Sequence, residues 1–203
     1  FFFNDTATTE NPAIKVEILR KVDEIAKNDA VVASNTSSIS ITQLAAVTQR
    51  GDRFIGMHFF NPVPMMALVE LIRGLQTSDA TVALTEDFAK RLGKTPIVVK
   101  NSPGFVVNRI LCPMINEAIF ALQDGLASAQ AIDDGMKLGC NHPIGPLALA
   151  DMIGLDVMLA VMEVFYRDFA DPKYRPAPLL REMVVAGWLG RKSGKGFYEY
   201  PAK

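Results

Sequence analysis

The chain changes character at residues 101–104, Asn-Ser-Pro-Gly, and this change limits the possible fold more than any other feature. Before it, short apolar runs alternate with stretches of helical periodicity, a pattern typical of α/β domains. After it, the apolar periodicity is helical, and no strand pattern recurs until the last residues. A chain of 203 residues has room for two small domains. We therefore predict an α/β domain over residues 10–100, followed by an all-helical domain over residues 101–203.

The elements expected in each domain follow from the period of the apolar positions and from turn and capping residues. In the first domain the predicted helices span residues 10–27, 41–47 and 80–92, and the predicted strands span residues 30–33, 54–60, 68–73 and 96–100. In the second domain the predicted helices span residues 105–122, 129–138, 146–166 and 178–186. Residues 1–9 open with three phenylalanines and show no amphipathic period, so they are interpreted as a non-native leader.

His58 and Glu70 are the candidate reactive pair. His58 is one of two histidines in the chain and lies in an apolar run that is predicted to be a strand. Pro62 and Pro64 end that run, and the next predicted strand carries Glu70 as a lone central carboxylate. Burying a carboxylate is costly unless it has a partner, and a strand–turn–strand hairpin can bring it to the imidazole. A carboxylate fixes the tautomer of a histidine and raises its basicity, as a general base requires.

Each candidate also has a structural interpretation. A buried His–Glu pair taken alone is more often a satisfied structural pair than a catalytic one. Ser37 taken alone fits a turn or a helix cap. Asn108, one turn into a predicted helix, can bond to the backbone, and His142 lies in a loop. The glycine-rich, basic segment 190–198 lacks the spacing of a phosphate-binding loop and fits a solvated turn that closes a hairpin.

Composition argues against several function classes. The formal net charge of -1 does not favour binding to nucleic acid or to anionic membranes. The most apolar stretch, residues 147–166, contains two aspartates and a glutamate, so it is not predicted to span a membrane. Cys112 and Cys140 are too few and too far apart for a disulfide framework or a Cys-x-x-Cys metal site. They favour reduced thiols in a cytoplasmic protein that holds no metal.

Five segments of the chain recur in the same order in one known family. They are residues 33–38 (Ala-Ser-Asn-Thr-Ser-Ser), 58–62 (His-Phe-Phe-Asn-Pro), 69–70 (Val-Glu), 102–109 (Ser-Pro-Gly-Phe-Val-Val-Asn-Arg) and 195–198 (Lys-Gly-Phe-Tyr). Their order and spacing resemble the L-3-hydroxyacyl-CoA dehydrogenase family, unbroken from about Glu10 to Tyr200. The helical part is most similar to the bacterial 3-hydroxybutyryl-CoA dehydrogenases of that family at residues 137–139, 143–146 and 154–156.

The resemblance implies a fold, a reaction and a cofactor. It implies that residues 10–100 are the C-terminal half of a Rossmann-type dinucleotide-binding domain, and that residues 101–203 are a helical dimerisation domain. It implies an oxidoreductase that interconverts (S)-3-hydroxyacyl-CoA and 3-oxoacyl-CoA in fatty acid metabolism, with an acyl-CoA substrate and with NAD as the hydride acceptor. No nucleic acid or membrane partner is expected.

The resemblance also assigns roles to individual residues. His58 matches the general base, which takes the proton of the 3-hydroxyl group, and Glu70 matches the carboxylate that orients it. Ser37 matches a hydroxyl that contacts substrate and cofactor, and Asn108 matches an amide that helps to hold the acyl group and the histidine. The positions that match NAD contacts are Glu10, Lys15, Ser37, Asn61 and Lys192.

A homodimer through the helical domain is a further implication of the resemblance. The apolar faces of residues 105–122 and 146–166 are wider than a small helical domain can bury internally, so they supply a two-fold interface. A charge at Ile115 or at Met158 is then expected to disrupt the dimer.

One feature of the family is absent from these residues. The sequence contains no Gly-x-Gly-x-x-Gly motif, which in dinucleotide-binding domains holds the pyrophosphate at a helix N-terminus. The acidic residue that reads the adenosine ribose, and the region that supplies much of the coenzyme A contact, are absent as well. We therefore expect an amino-terminally truncated member of the family that is inactive by itself. Two alternatives stay open, a sister NAD(P)-dependent hydroxyacid dehydrogenase and a non-catalytic helical dimerisation module.

Overall fold

The computed structural model describes residues 2–3, 12–37 and 39–201. The chain forms two compact units, residues 1–106 and residues 107–203. Each unit has hydrophobic clusters of its own. In the described part of the chain the first unit contains a five-stranded sheet, and the second is built from helices.

The first unit is an α/β fold. Its strands are β1 (Phe2–Phe3), β2 (Val32–Ser34), β3 (Phe54–Phe59), β4 (Leu68–Arg73) and β5 (Thr95–Lys100). Its helices are α1 (Pro12–Ile25), α2 (Ile41–Ala45) and α3 (Asp79–Arg91), with a 3₁₀ turn at Gly51–Arg53. The strands lie in the order β1-β2-β3-β4-β5. Neighbouring strands are parallel, except that β3 and β4 run antiparallel to each other.

The predicted strand–turn–strand hairpin is confirmed. β3 and β4 pair antiparallel with His58 directly opposite Glu70. Directly opposed residues of an antiparallel pair have their side chains on the same face of the sheet, within contact distance. The predicted helices and strands of this unit are present, and their described ends differ from the predicted ends by no more than two residues.

Residues 2–3 form a strand that no sequence pattern predicts. Phe2 and Phe3 pair in parallel with Ala33 and Ser34 of β2. Most of residues 1–9 lies outside the described residues, so their interpretation as a non-native leader stays a prediction.

Helices cover both faces of the sheet. Because side chains alternate along a strand, neighbouring residues of β3 point to opposite faces. Phe54 packs with residues of α1 and α2 on one face, and Ile55 packs with residues of α3 on the other. His58 has the same parity as Phe54, so it lies on the face of α1 and α2, and Glu70 lies there with it.

A buried arginine completes the C-terminal end of α1. The last carbonyls of a helix have no partner within the helix. The Arg50 guanidinium donates hydrogen bonds to the carbonyl groups of Asp23, Ala26 and Lys27. Its Nε also donates to the Asp23 carboxylate at 2.6 Å, and the Gln49 N–H donates to the other carboxylate oxygen at 2.7 Å. These bonds tie α1 to the segment that leads into β3.

We expect Asp23→Asn to lower the free energy of unfolding at neutral pH by about 1.5–3 kcal/mol, the range for a hydrogen bond to a charged group. Burial alone would raise the pKa of the Asp23 carboxyl. The Gln49 N–H and the Arg50 guanidinium outweigh burial and hold this pKa below its ordinary value of 3.8. A lowered carboxyl pKa stabilises the fold above the unfolded-state value, and this contribution is lost as pH falls through the folded-state value.

Urea unfolding of wild type and Asp23→Asn at neutral and at strongly acid pH measures this effect. The difference between the two proteins should shrink in acid. Glu17→Gln is the matched control, because Glu17 forms an exposed ion pair with Lys21 on the same helix and such pairs contribute little. Two results would contradict a stabilising role for Asp23. One is an equal loss of unfolding free energy in both variants, and the other is a difference between wild type and Asp23→Asn that persists in acid.

The second unit is helical, as predicted. Its helices are α4 (Val107–Gln123), α5 (Ala129–Gly139), α6 (Pro146–Ile153), α7 (Leu155–Phe169) and α8 (Pro178–Val185), with 3₁₀ turns at Pro172–Tyr174 and Arg191–Ser193. One apolar cluster joins residues from α4, α6, α7 and α8. Across the described residues, no helix combines the length and the apolar character that crossing a membrane requires.

The single helix predicted for residues 146–166 is wrong. Gly154 separates α6 from α7 and has a φ of 104°, a conformation that favours glycine. A Cβ at this position would lie 3.0 Å from Asp156 Oδ1 and 3.2 Å from Lys192 Nζ. The apolar period is helical on both sides of the glycine, which is why periodicity alone did not show the break.

A buried aspartate on α5 holds the start of α6. Asp133 accepts hydrogen bonds from the N–H groups of Leu147 and Ala148 at 2.8 Å and 2.9 Å. These N–H groups belong to the first turn of α6, where a helix offers no partner of its own. The Tyr198 hydroxyl also donates to Asp133, at 2.7 Å. Burial and this carboxylate raise the pKa of the Tyr198 hydroxyl.

A second buried aspartate holds the terminal segment 190–198. Asp151 on α6 accepts hydrogen bonds from the N–H groups of Phe197 and Tyr198, both at 3.0 Å, and from the Tyr200 hydroxyl at 2.9 Å. Antiparallel bridges form within and beside this segment, as its interpretation as a hairpin turn expects. The segment is therefore held to α6 and stabilises the helical unit.

The expectation for Ile115 and Met158 is wrong. Ile115 on α4 and Met158 on α7 are 0 % and 1 % exposed and belong to the apolar cluster of the second unit. A charge at either position would be buried in this cluster and would oppose folding of the unit. Apolar side chains that α4 and α7 do expose include Ile110 and Val157.

Candidate functional site

The candidate site lies at the carboxyl ends of β2 and β3. After β2 the chain turns through Asn35, Thr36 and Ser37 toward α2. The Thr36 hydroxyl accepts a hydrogen bond from the Ile39 N–H at 3.0 Å within this turn. Asn35 Oδ1 accepts a hydrogen bond from the Phe59 N–H at 2.9 Å, which ties the turn to the end of β3. Ligands of open α/β sheets bind at this edge.

His58 and Glu70 form a buried pair across the hairpin. His58 Nδ1 and Glu70 Oε2 are 2.7 Å apart, and the two residues are 5 % and 0 % exposed. Because an ionised carboxylate only accepts hydrogen bonds, Nδ1 carries the proton and donates it. In a neutral imidazole with this tautomer Nε2 is the accepting nitrogen, and it lies 3.0 Å from the Ser37 hydroxyl oxygen. Glu70, His58 and Ser37 thus form a continuous chain, and the imidazole at its centre can accept a proton at Nε2.

The other carboxylate oxygen of Glu70 is also bound. The Val106 N–H donates a hydrogen bond to Glu70 Oε1 at 2.9 Å. A buried charge is tolerated when hydrogen-bond donors replace its water. Donors from two different segments therefore hold the carboxylate, and the carboxylate in turn fixes the ring of His58. The partner that the sequence predicted for a buried glutamate is present.

Two aromatic rings flank the imidazole. The ring centroids of Phe60 and His58 are 4.6 Å apart, with an angle of 56° between the planes. The ring of Phe105 meets His58 edge-on at 5.6 Å and 63°. Apolar neighbours keep water from the pair and so strengthen its hydrogen bonds.

The remaining residues proposed from the resemblance are spread over both units. Lys15 on α1 is buried, and Asn61 lies just beyond β3 and is exposed. Glu10 lies outside the described residues. Asn108 is the second residue of α4, in the second unit. Lys192 also belongs to the second unit and forms an ion pair with Asp156 on its surface. Of the predicted site residues, the structure brings the serine, the histidine and the glutamate together.

Several groups of the site have no role in the sequence-based prediction. They are the Asn35 amide, the Val106 N–H and the rings of Phe60 and Phe105. One signal was available, because Pro-Gly within residues 102–105 is typical of a type II turn and so indicates a chain reversal there. The donor itself is a backbone group, which side-chain patterns do not report.

The residues at this edge fit a nicotinamide cofactor in part. The Ser37 hydroxyl and the Asn61 amide follow β2 and β3, where dinucleotides lie in sheets of this type. Both groups can hydrogen-bond to a ribose or to a carboxamide. The glycine-rich turn that holds a pyrophosphate is absent from the 203 residues. In the part of the chain that the structure describes, no group of histidine, cysteine, aspartate and glutamate side chains could hold a metal ion.

Two family models match adjacent parts of this chain. The model described as "3-hydroxyacyl-CoA dehydrogenase, NAD binding domain" matches residues 6–102, and the model described as "3-hydroxyacyl-CoA dehydrogenase, C-terminal domain" matches residues 104–200. The chain belongs to the 3-hydroxyacyl-CoA dehydrogenase family. The resemblance drawn from the five sequence segments is thereby confirmed. The fold class is confirmed with it, and so is the expectation of NAD as cofactor.

Individual family members are similar over nearly the whole chain. A protein of Bacillus subtilis named "Probable 3-hydroxybutyryl-CoA dehydrogenase" is 56 % identical, over 97 % of this chain and 69 % of its own length. The human protein named "Hydroxyacyl-coenzyme A dehydrogenase, mitochondrial" is 44 % identical, over 96 % of this chain and 62 % of its own length. The crystal structure of (S)-3-hydroxybutyryl-CoA dehydrogenase from Ralstonia eutropha is 71 % identical with a TM-score of 0.96, over 99 % of this chain and 70 % of that chain.

Proposed function

We propose that this chain carries the reaction centre of an NAD-dependent 3-hydroxyacyl-CoA dehydrogenase of the 3-hydroxybutyryl type. The reaction interconverts (S)-3-hydroxyacyl-CoA and 3-oxoacyl-CoA. The main support is the Glu70–His58–Ser37 chain, which places Nε2 of the imidazole beside a hydroxyl at the edge of the sheet where dinucleotides bind. The names of the Bacillus subtilis and Ralstonia eutropha relatives support the substrate class.

His58 is the general base in this proposal. Its Nε2 takes the proton of the 3-hydroxyl group while the C3–H bond breaks, and Glu70 stabilises the resulting imidazolium through Nδ1–H. NAD, when bound, supplies the acceptor for the hydride that leaves C3. In the reverse direction the imidazolium returns the proton to the 3-oxo oxygen. Ser37, 3.0 Å from Nε2, would hold the substrate oxygen next to the base.

Further residues would hold the substrate and the cofactor. Asn108 would bind the acyl group through its amide, which can both donate and accept hydrogen bonds. Lysine side chains can pair with phosphate groups, and hydroxyl and amide groups can bind the ribose and the carboxamide. The residues proposed to contact NAD are Glu10, Lys15, Ser37, Asn61 and Lys192.

A sister dehydrogenase that acts on a substrate without coenzyme A is the second candidate. The structure titled "Substrate-directed dual catalysis of dicarbonyl compounds by diketoreductase" is 30 % identical to this chain with a TM-score of 0.79. The Ralstonia eutropha enzyme is more similar in both sequence and structure, which favours a coenzyme A thioester. Comparing acetoacetyl-CoA with free 3-oxo acids in an NADH-oxidation assay distinguishes the two candidates.

We also propose a cytoplasmic location. Cys112 and Cys140 are both free, as thiols are in a reducing compartment. Burial raises the pKa of the Cys112 thiol to about 12, so this cysteine stays protonated and unreactive at neutral pH.

The first prediction for the active site concerns the base. In a version of this chain extended with the glycine-rich amino-terminal segment of a relative, His58→Gln should lower turnover by about 10² to 10⁴, the span of general acid–base catalysis. Glu70→Gln acts through the same imidazole, so the loss in the double variant should be far smaller than the product of the two single losses. Steady-state rates with acetoacetyl-CoA and NADH measure the cycle, and fully additive losses would sink the assignment of the pair.

A second prediction concerns the 203-residue polypeptide by itself. We expect it to bind NAD weakly or not at all and to show no dehydrogenase activity, since hydride transfer needs the nicotinamide held at roughly 3–3.5 Å from the reacting carbon. Without the glycine-rich turn the pyrophosphate has no anchor. Adding the glycine-rich segment should restore activity. Acetoacetyl-CoA reduction by the unextended polypeptide would show that the cofactor is anchored elsewhere.

We propose in addition that the helical unit forms a homodimer. Helices α4 and α7 pack against each other and line the core with one side of each. The two helices leave apolar side chains exposed: Ile110 is 67 % exposed, and Val157 and Tyr166 are each more than 40 % exposed. Large apolar side chains that a single unit leaves exposed on packed helices are a feature of subunit interfaces.

The dimer proposal predicts a monomer for Ile110→Lys, because the charge would be buried in the interface without a partner. Leu138→Lys is the matched control, since Leu138 is also an exposed apolar residue, at the end of α5. Light scattering at micromolar concentration measures the molecular mass, and circular dichroism checks that both variants remain folded. A wild-type monomer would refute the dimer, and a dimeric Ile110→Lys would refute this interface.

A further inference from the structure

The chain reverses sharply just after β5, beside the buried pair. The Phe105 N–H donates a hydrogen bond to the Ser102 carbonyl at 3.0 Å, which encloses Pro103 and Gly104 in a four-residue turn. Gly104 has a φ of 74°. Proline followed by a residue of positive φ is the pattern of a type II turn, and glycine adopts this φ without steric cost. Local sequence therefore determines this reversal.

The residue that leaves the turn is strained. Phe105 has a φ of 51°, in the left-handed region, which is sterically unfavourable for a residue with a side chain. Such a conformation persists only where the surrounding contacts enforce it, and it is frequent at functional sites. The ring of Phe105 is 5 % exposed and packs in the cluster formed with α1 and α2. Burial of the ring is what offsets the backbone strain.

Two contacts to the reactive pair follow from this conformation. The next N–H group along the chain, that of Val106, donates to Glu70 Oε1 at 2.9 Å. The Phe105 ring itself lies edge-on to His58, with 5.6 Å between the centroids. Phe105 thus positions the N–H group that donates to Glu70 and supplies an aromatic ring that packs against the imidazole of His58.

We propose that Phe105 is a positioning residue for the His58–Glu70 pair. Its backbone directs the Val106 N–H to the carboxylate, and its ring limits rotation of the imidazole. Both effects keep Nδ1 of His58 in line with Glu70 and Nε2 facing Ser37. The role of the pair as the base rests on the proposed function, whereas the positioning is a property of the geometry.

Phe54 provides a matched comparison. It is also a buried phenylalanine of the first unit, it belongs to the same cluster, and it lies on β3 four residues before His58. Its replacement by leucine removes a similar amount of buried surface. Phe54, however, is neither part of the 102–105 turn nor directly next to Val106. Phe105→Leu and Phe54→Leu therefore share the loss of packing and differ in the loss of positioning.

Proton nuclear magnetic resonance of the 203-residue chain tests the proposal. The His58 Nδ1 proton, shielded from water and bonded to a carboxylate, should give a low-field resonance, and the only other histidine is His142. Phe105→Leu should abolish or broaden this resonance and should speed hydrogen exchange of the Val106 amide. Phe54→Leu should leave both signals as in wild type, although urea unfolding shows a similar loss of stability.

Three results would overturn the proposal. They are a wild-type chain without the low-field resonance, a Phe105→Leu chain that keeps both signals, and a Phe54→Leu chain that loses them equally. If Phe105→Leu does not fold, Phe105→Met makes the same comparison. The unbranched, flexible methionine side chain can fill the space that the ring leaves in the core.

Kinetics separate this proposal from the proposed function. In the extended, active chain, Phe105→Leu should lower kcat and leave KM for acetoacetyl-CoA nearly unchanged, because it misplaces the base and not the substrate. Equal changes in kcat and KM would argue against positioning. If the extended wild-type chain has no activity at all, the proposed function fails, while the resonance experiment still decides the positioning.

Discussion

A buried carboxylate has to be given hydrogen-bond donors, and the arrangement of the first unit around Glu70 follows from this requirement. The antiparallel hairpin places His58 opposite it, and the turn after β5 places the Val106 N–H at its other oxygen. Removing either donor would take away part of the hydrogen bonding that compensates a buried charge, which is costlier than losing an exposed ion pair. A slip of one residue in the hairpin would turn one of the two side chains to the other face and separate the pair. The register of the sheet and the chemistry of the site are therefore fixed by the same interaction.

The second unit uses buried carboxylates in a different way. Asp133 and Asp151 accept hydrogen bonds from backbone N–H groups and from tyrosine hydroxyls. These partners keep their protons at neutral pH, so the two aspartates fasten helices and the terminal hairpin without offering a group that accepts a proton. Glu70 differs because its partner is an imidazole, which donates from one nitrogen and keeps a lone pair on the other. The buried carboxylates of the two units therefore differ in the chemical nature of their hydrogen-bond partners.

The parts of the proposed site are distributed unevenly along this member of the 3-hydroxyacyl-CoA dehydrogenase family. The groups proposed for proton transfer come from the ends of β2 and β3 and from β4, all within the matched NAD-binding domain. The glycine-rich turn that anchors a pyrophosphate has no counterpart in these residues, and the chain spans about 70 % of the length of the bacterial relatives. In the proposed function, proton transfer and anchoring of the pyrophosphate therefore depend on separate segments.

The sequence by itself determined the order of the two units, most of their elements and the pair at the centre of the candidate site. A strand repeats every two residues and a helix every 3.6, so local periodicity reports both. A lone histidine and a lone glutamate in adjacent apolar strands have few partners other than each other. Local patterns did not show the break at Gly154, because the apolar period is the same on both sides of it. The outward faces of α4 and α7 and the donor from Val106 were decided by tertiary structure alone. The direction in which a helix buries its side chains depends on what packs against it, and a backbone N–H finds its acceptor only when distant segments meet.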